Sequence, residues 1–163
     1  MEYAYFAGGC FWCVTPIFKI QNGVKGVVSG FSGGDEKDPS YEDVKYQRTG
    51  HRETVRIEYD PGVISYGALL DIFLTGVDPY DGEGQYIDRG RSYTLAVYYL
   101  NEDERKLATE KIEELRKASG RDIFIEVEPF KSFYSADEKH QDYYLKNPEA
   151  FEKELIESGR KRT

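Results

Sequence analysis

Cysteine, methionine and tryptophan are scarce in this chain of 163 residues, which has two cysteines, one methionine and one tryptophan. The two cysteines, Cys10 and Cys13, stand three positions apart. So close a pair makes a poor disulfide framework, whereas it is a common dithiol arrangement in reducing compartments. We therefore expect no disulfide framework, and we expect the protein to reside in the cytoplasm.

Long apolar runs and an excess of positive charge are also absent. No stretch approaches the roughly 20 apolar residues of a membrane helix, and the N-terminus has no basic segment followed by a small-residue cleavage site. We therefore expect neither a membrane span nor a signal peptide. The net charge of -8 argues against nucleic acid as a partner, because its phosphates would be repelled. We expect a monomer made of one domain, residues 1–163, in which 146–163 is a peripheral C-terminal helix and tail.

The chain does contain one chemically distinctive segment, Gly8-Gly9-Cys10-Phe11-Trp12-Cys13, directly after an apolar run at 3–7. A strand that ends at paired glycines and continues into a helix would place Cys10 at the helix N-terminus. The free N–H groups and the positive end of the helix dipole favour an anion there, so we expect the pKa of Cys10 to be lowered. The only tryptophan stands between the only two thiols, which indicates redox or nucleophilic sulfur chemistry beside an aromatic side chain.

Apolar periodicity and turn residues predict the element order β-α-β-β-α-β-α-β. The predicted strands lie at 2–7, 24–31, 53–59, 93–100 and 123–127, and the predicted helices begin at Cys10, Ser65 and Asn101. Two long polar loops, 35–51 and 78–91, lack periodicity, and loops of that length are usually functional. This order predicts an α+β fold, a two-layer α/β sandwich with a ferredoxin-like split βαβ core and an extended C-terminal segment.

Beyond the cysteine segment, a series of short motifs follows along the chain. They are Gly9-Cys10-Phe11-Trp12, Gly30-Phe31-Ser32-Gly33-Gly34, Pro39-Ser40-Tyr41, Thr49-Gly50-His51 with Glu53, Tyr59-Asp60-Pro61, Asp78-Pro79, Asp88 with Gly90 and Tyr93, and His140-Gln141 with Tyr143. Together they resemble the signature of the peptide methionine sulfoxide reductase A family, from about Phe6 to Leu145. The resemblance implies an enzyme that reduces the S epimer of methionine sulfoxide, free or in oxidised proteins.

Reducing a sulfoxide requires a nucleophile at sulfur and a proton for the departing oxygen. The resemblance implies that Cys10, as a thiolate, is the nucleophile and that Glu53 is the acid. Burial beside aromatic side chains would keep such a carboxyl protonated near neutral pH, since it disfavours the charged form.

The remaining family positions concern the binding of the substrate. By resemblance, Phe11 and Trp12 form an apolar seat for the S-methyl group, and Tyr41 and Tyr93 hydrogen-bond the sulfoxide oxygen. Asp88 matches a carboxylate that the family uses near the oxygen site through water. An Asp in a loop rich in Gly and Asp has the alternative of simply forming a turn.

The first turnover leaves Cys10 as a sulfenic acid, with which a second thiol can condense. Family members often carry this resolving cysteine in a C-terminal extension, but here Cys13 replaces the glycine that usually follows the motif, as in a subgroup of the family. The resemblance thus implies that Cys13 resolves the sulfenic acid and that thioredoxin or another external dithiol reduces the disulfide, with no bound cofactor. Residues three apart in a helix have Cβ atoms about 5–6 Å apart, whereas a disulfide needs about 3.8 Å, so oxidation should unwind the first turn. Cys13 could instead be only a small buried apolar residue.

Two other functions compete with this interpretation. A thioredoxin-like dithiol oxidoreductase would share the layout of strand, Cys-x-x-Cys, helix and Pro16, but it leaves Glu53, Tyr41 and Tyr93 unexplained.

A zinc module could use Cys10, Cys13, His51 and His140, but its two histidines are far apart, unlike the usual paired spacing. Outside such a module we expect both histidines to be structural hydrogen-bonding residues.

Overall fold

A six-stranded sheet with helices packed on it carries the site residues. The computed structural model describes residues 1–141 and 143–157, apart from the side chains of residues 143, 144, 154, 155 and 157. The strands are β1 (Glu2–Gly8), β2 (Val24–Ser32), β3 (Arg52–Tyr59), β4 (Gly84–Gln85), β5 (Asp88–Arg89), β6 (Leu95–Tyr99), β7 (Ile125–Pro129) and β8 (Phe133–Ser135). The helices are α1 (Phe11–Lys19), α2 (Tyr41–Lys45), α3 (Tyr66–Gly76), α4 (Glu102–Ser119), α5 (Tyr143–Lys146) and α6 (Pro148–Glu157).

The strand order in the sheet is β7-β6-β1-β3-β2-β8, while β4 and β5 pair as a separate hairpin. Strand β3 lies antiparallel to both β1 and β2, so these two strands run parallel to each other on either side of it. Helix α1 connects β1 to β2, which makes this a split βαβ unit. The predicted α+β fold is confirmed.

Alternation along β1 divides the apolar residues between the two faces of the sheet. Phe6 stacks on Phe18 of α1 at 5.7 Å and on Phe73 of α3 at 5.0 Å between ring centroids. The preceding Tyr5 faces the other way and stacks on Phe130 at 4.2 Å. The face covered by helices therefore holds the larger core, and the opposite face holds a smaller cluster.

The helix ends follow the predicted capping residues. Ser65 accepts the backbone N–H three residues on at 3.0 Å and starts α3. Asn101 accepts the Glu104 N–H at 2.9 Å, and Glu104 in turn accepts the N–H of Leu100 at 3.0 Å. Gly120 ends α4 in the left-handed conformation, with φ of +68°. These local signals act within one turn, so a sequence shows them directly.

Several segments have more structure than predicted. The loop 35–51 contains α2, and the loop 78–91 contains the hairpin of β4 and β5. Tyr93 ends a 3₁₀ turn instead of starting a strand, and β6 begins at Leu95. The short β8 was not predicted at all, because three residues give no readable period; it pairs with the outer edge of β2.

The C-terminal part of the described chain is helical. Helix α6 begins at Pro148, inside the predicted peripheral segment 146–163, and residues 158–163 of that segment lie outside the described residues, as does Asp142. Across 1–141 and 143–157, no helix has both the length and the apolar character needed to span a bilayer.

Candidate active site

Cys10 is the N-cap of α1, one residue outside the helix itself. The chain leaves β1 through Gly9, whose φ of +86° is a conformation that glycine adopts without strain. Cys10 then has φ of -57° and ψ of 116°, and its carbonyl accepts the N–H groups of Cys13 at 3.1 Å and Val14 at 3.3 Å. Its side chain caps no helical N–H. The thiol is buried, with 6% of the residue exposed.

The helix N-terminus is capped instead by Glu53, which comes from β3. The backbone N–H of Phe11 donates to Glu53 Oε1 at 3.2 Å. Glu53 is 1% exposed, and its Oε2 has no hydrogen-bond partner among the described residues. Burial raises the pKa of Glu53 from 4.5 to about 8; electrostatic interactions with Asp88 and Cys13 add to the rise, and the hydrogen bonds with Phe11 N–H and Tyr93 oppose it. The carboxyl is thus mostly protonated at neutral pH.

The expected lowering of the Cys10 pKa is wrong. The pKa of Cys10 is raised well above its ordinary value, first by a hydrogen bond between the Cys10 and Cys13 thiols and then by burial and by the charges of Cys13, Glu53 and Asp88. The helix terminus cannot compensate because its first N–H points at Glu53. The site therefore holds neutral groups, a thiol and a carboxylic acid.

The same geometry changes the expected relation between the two cysteines. The spacing of about 5–6 Å holds for two residues inside a helix. Cys10 has an extended ψ and lies outside the helix, in the N-cap position from which a side chain reaches the third helical residue. Cys13 is that third residue, and the two thiols are within hydrogen-bond distance.

Aromatic rings form one wall of the site. Trp12 lies nearly parallel to Tyr41, with 5.9 Å between centroids and 14° between planes. Phe11 is tilted against both rings, at 6.3 Å and 6.2 Å. Tyr41 is the first residue of α2, whose N-cap Ser40 accepts an N–H of the first turn at 3.1 Å. The helix found in the loop 35–51 thus brings Tyr41 to the wall.

Tyr93 and Asp88 approach from the loop 78–91 and the turn after it. The pKa of Tyr93 is raised by burial and by the nearby charges of Glu53, Tyr41, Asp88 and Cys10. The charge of Asp88 also acts on Cys10 and Glu53. All eight predicted site residues therefore come together at the N-terminus of α1: Cys10, Phe11, Trp12, Cys13, Tyr41, Glu53, Asp88 and Tyr93.

Gln47, which the sequence analysis did not identify as a site residue, holds the 3₁₀ turn that contains Tyr93. Gln47 donates to Ser92 Oγ at 2.8 Å and accepts the Ser92 N–H at 3.0 Å. Its side chain also fills the space beside Gly90, whose φ is +113°. No local motif indicates a contact between residues 45 positions apart.

The two histidines differ in their surroundings. His51 accepts the Gly34 N–H at 3.2 Å, and its Nε2 lies 2.7 Å from the carbonyl oxygen of Glu36, so the predicted structural role holds for it. His140 instead joins the aromatic wall, stacked 4.1 Å from Tyr41 and 5.6 Å from Trp12. Both of its ring nitrogens are buried without a hydrogen-bond partner in the described part of the chain, which the sequence did not predict.

The zinc alternative finds no support in this geometry. Both ring nitrogens of His51 face backbone groups, so neither is available as a ligand. In the part of the chain that the structure describes, no three His, Cys, Asp or Glu side chains are grouped so that they could hold a metal ion.

Comparison with known protein families and curated sequences gives a consistent result. The family model described as Peptide methionine sulfoxide reductase matches residues 2–163. Peptide methionine sulfoxide reductase MsrA 2 from Staphylococcus aureus is 43% identical over 162 residues, covering 98% of this chain and 92% of that protein. Peptide methionine sulfoxide reductase MsrA from Bacillus licheniformis is 44% identical over 161 residues, covering 98% and 89%.

Solved structures have the same fold. Reduced Mxr1 from Saccharomyces cerevisiae has a TM-score of 0.85 at 30% identity, covering 90% of this chain and 86% of that one. Methionine sulfoxide reductase A of Corynebacterium diphtheriae has a TM-score of 0.81 at 29% identity, covering 90% and 75%. Mxr1 in complex with Trx2, with a TM-score of 0.58 at 20% identity, covers 87% and 84% and is similar in fold alone.

Proposed function

This chain belongs to the peptide methionine sulfoxide reductase family, and we propose that it reduces the S epimer of methionine sulfoxide, both free and within oxidised proteins, to methionine. One observation carries this proposal. A buried carboxyl with a pKa of about 8 caps the helix whose N-cap residue is a buried cysteine, so a proton donor and a sulfur nucleophile lie at one helix end. Sulfoxide reduction needs both groups.

The substrate is bound between the aromatic wall and the acid. Phe11 and Trp12 form the apolar seat of the S-methyl group. The sulfoxide oxygen accepts hydrogen bonds from Tyr41, Tyr93 and protonated Glu53, whose Oε2 is otherwise unpartnered among the described residues. Asp88 acts near the oxygen site through water and, by its charge, helps to keep Glu53 protonated.

In the first step, the Cys10 sulfur attacks the sulfoxide and Glu53 protonates the oxygen. The protonated oxygen passes from the substrate sulfur to the Cys10 sulfur: the substrate S–O bond breaks, a Cys10 S–O bond forms, and the substrate sulfur gains two electrons and becomes the thioether of methionine. Cys10 loses two electrons and becomes a sulfenic acid, and its thiol proton restores Glu53. A Cys10 thiol and a sulfoxide are thus converted into a sulfenic acid and a thioether with no net uptake or release of protons.

In the second step, the Cys13 sulfur attacks Cys10. A disulfide forms, and the sulfenic oxygen leaves as water with its own proton and that of Cys13. The hydrogen bond between the two thiols supports this role over that of a buried filler. The first turn of α1 still has to adjust, because the side chain of Cys13 is held by the helix.

An external dithiol then returns the disulfide to two thiols. We propose thioredoxin or another dithiol for this step; Mxr1, which is 30% identical to this chain in the comparison with its reduced form, has been solved in complex with Trx2, and this supports a thioredoxin as partner. The enzyme needs no bound cofactor, since the two cysteines carry both electrons. Two free thiols, Cys10 and Cys13, fit a reducing compartment such as the cytoplasm. We propose that the chain forms a single catalytic domain that acts as a monomer, with α6 (Pro148–Glu157) at its periphery.

The decisive experiment is mass spectrometry of the reduced protein after one equivalent of N-acetyl-methionine S-sulfoxide. We expect one equivalent of N-acetyl-methionine and a Cys10–Cys13 disulfide in the wild type, and no product from Cys10→Ser. An insulin-reduction assay tests the thioredoxin-like alternative. Reduction of insulin disulfides without reduction of the sulfoxide would contradict the proposed function.

A further inference from the structure

His140 is a buried polar group that the proposed mechanism does not use. The residue is 6% exposed, and neither Nδ1 nor Nε2 has a hydrogen-bond partner in the described part of the chain. Leaving a buried donor or acceptor unpaired destabilises a fold, so such groups are few in native proteins. Oε2 of Glu53, the atom assigned to the sulfoxide oxygen, is a further buried side-chain atom of this kind at the site.

The position of the ring relates His140 to the substrate. Its plane lies within 18° of Tyr41 and 15° of Trp12, and its centroid is 6.0 Å from that of Phe11. These three neighbours are the ones that hold the methyl group and the oxygen. Gln141 anchors the segment by accepting the N–H of Ser29 at 2.8 Å and donating to its carbonyl at 2.9 Å.

The imidazole is neutral in this environment. Burial lowers the pKa of His140, and Lys139 lowers it further, against the opposing charges of Asp137 and Glu42. A neutral imidazole has one N–H donor and one bare nitrogen acceptor. These are the complements of the C=O and the N–H of a peptide group.

The mechanism proposed above gives binding residues to the methyl group and the oxygen of the substrate, but not to its polar main chain. The methyl group has Phe11 and Trp12, and the oxygen has Glu53 and the two tyrosines, but no group has been assigned to the main chain of the oxidised residue. We propose that His140 is a substrate-binding residue whose imidazole hydrogen-bonds a main-chain peptide group of the methionine sulfoxide residue. This inference rests on the proposed function and names the part of the substrate that His140 recognises.

The test compares two substrates with different main chains. N-acetyl-methionine sulfoxide N-methylamide carries two peptide groups, whereas dimethyl sulfoxide carries the sulfur, the oxygen and methyl groups alone. His140→Phe keeps a stacking ring and removes both nitrogens. We expect kcat/KM of this variant, with dithiothreitol as reductant, to fall about five- to tenfold on the amide, the value of one hydrogen bond. The kcat/KM of this variant for dimethyl sulfoxide should change less than about twofold. Its Tm should not fall, since an unpaired polar ring is replaced by an apolar one.

His140→Gln is the matched variant, because it keeps a donor and an acceptor and loses the ring. We expect it to remain within about threefold of the wild type on the amide, and this comparison stands even if His140→Phe does not fold. An equal loss on both substrates would overturn the proposal, since His140 would then act through Tyr41 or Trp12. An unchanged kcat/KM of His140→Phe on both substrates would also overturn it, because His140 would then have only a stacking role. A wild type inactive on both substrates would refute the proposed function itself.

Discussion

Replacing Glu53 with glutamine tests whether the buried carboxyl is protonated in the folded protein, independently of any activity. Glutamine has nearly the same shape, keeps an oxygen that can accept the Phe11 N–H, and carries no charge at any pH. Because burial raises the pKa of Glu53 from 4.5 to about 8, the folded protein retains a proton that the unfolded chain releases above pH 4.5.

The size of the effect follows from the two pKa values of Glu53. Between them the folded state binds one proton more than the unfolded state, so the free energy of unfolding of the wild type falls as the pH rises. The slope is about 1.4 kcal/mol per pH unit, and the interval from 4.5 to about 8 gives at most about 5 kcal/mol. Above that interval the carboxyl is ionised in both states, and the loss stops growing. Glu53→Gln has no such loss.

Urea unfolding of the reduced proteins at several values between pH 5 and pH 9 measures this difference. We expect Glu53→Gln to gain stability relative to the wild type by several kcal/mol between pH 5 and pH 8, and the gain to level off above pH 8. Glu126→Gln, at an exposed position of β7, is the matched control for the loss of a carboxylate. If the free energy of unfolding of Glu53→Gln differs from that of the wild type by a constant amount at every pH, as expected for Glu126→Gln, then Glu53 is not protonated in the folded state and cannot be the acid.

Other changes have outcomes that follow from the same geometry. Cys13→Ser should keep one turnover, seen as one equivalent of methionine, and lose turnover driven by thioredoxin; continued cycling would show that Cys13 is not required. The single-turnover rate of the wild type should be constant from pH 5 to pH 7 and fall above pH 8, as the raised pKa of Glu53 is passed and its proton is lost; a rate that rises through pH 8 would contradict this. Phe6→Ala removes a fully buried ring that stacks on Phe18 and Phe73, and should cost about 3–5 kcal/mol in urea unfolding. Gly34→Ala should lower the Tm and weaken the loop at 35–51, because a Cβ there would lie 2.6 Å from the His51 ring; an unchanged Tm would show that the loop can adjust.

The part of the fold that a sequence could predict is the part decided by neighbours along the chain. Ser65 and Asn101 start helices through bonds that span three residues, and Gly120 ends one by its own φ. The residue types of the site were equally accessible, because each stands inside a short motif. In contrast, β8 is too short for a period, and Tyr93 lies in a turn whose shape depends on the distant Gln47.

Burial was enough to predict that Glu53 stays protonated near neutral pH, but the direction of the Cys10 pKa shift could not be predicted, because it depends on contacts between distant segments. Whether a helix N-terminus stabilises a thiolate depends on which group takes its first N–H, and here Glu53, 42 positions from Phe11, takes it. The surroundings of His140 likewise depend on the bonds of Gln141 to Ser29, 112 positions away. A sequence motif identifies the residues of such a site, whereas the packing of distant segments determines which of them are protonated.

The raised pKa values of Cys10 and Glu53 have one common cause and one common consequence. Burial opposes the thiolate and the carboxylate alike, so Cys10 and Glu53 are both neutral in the resting site. The proposed reaction begins and ends with neutral groups, since the proton that Glu53 gives to the oxygen is replaced by the proton of Cys10. A buried site therefore does not hinder this chemistry as it would a reaction that needs a free thiolate at rest.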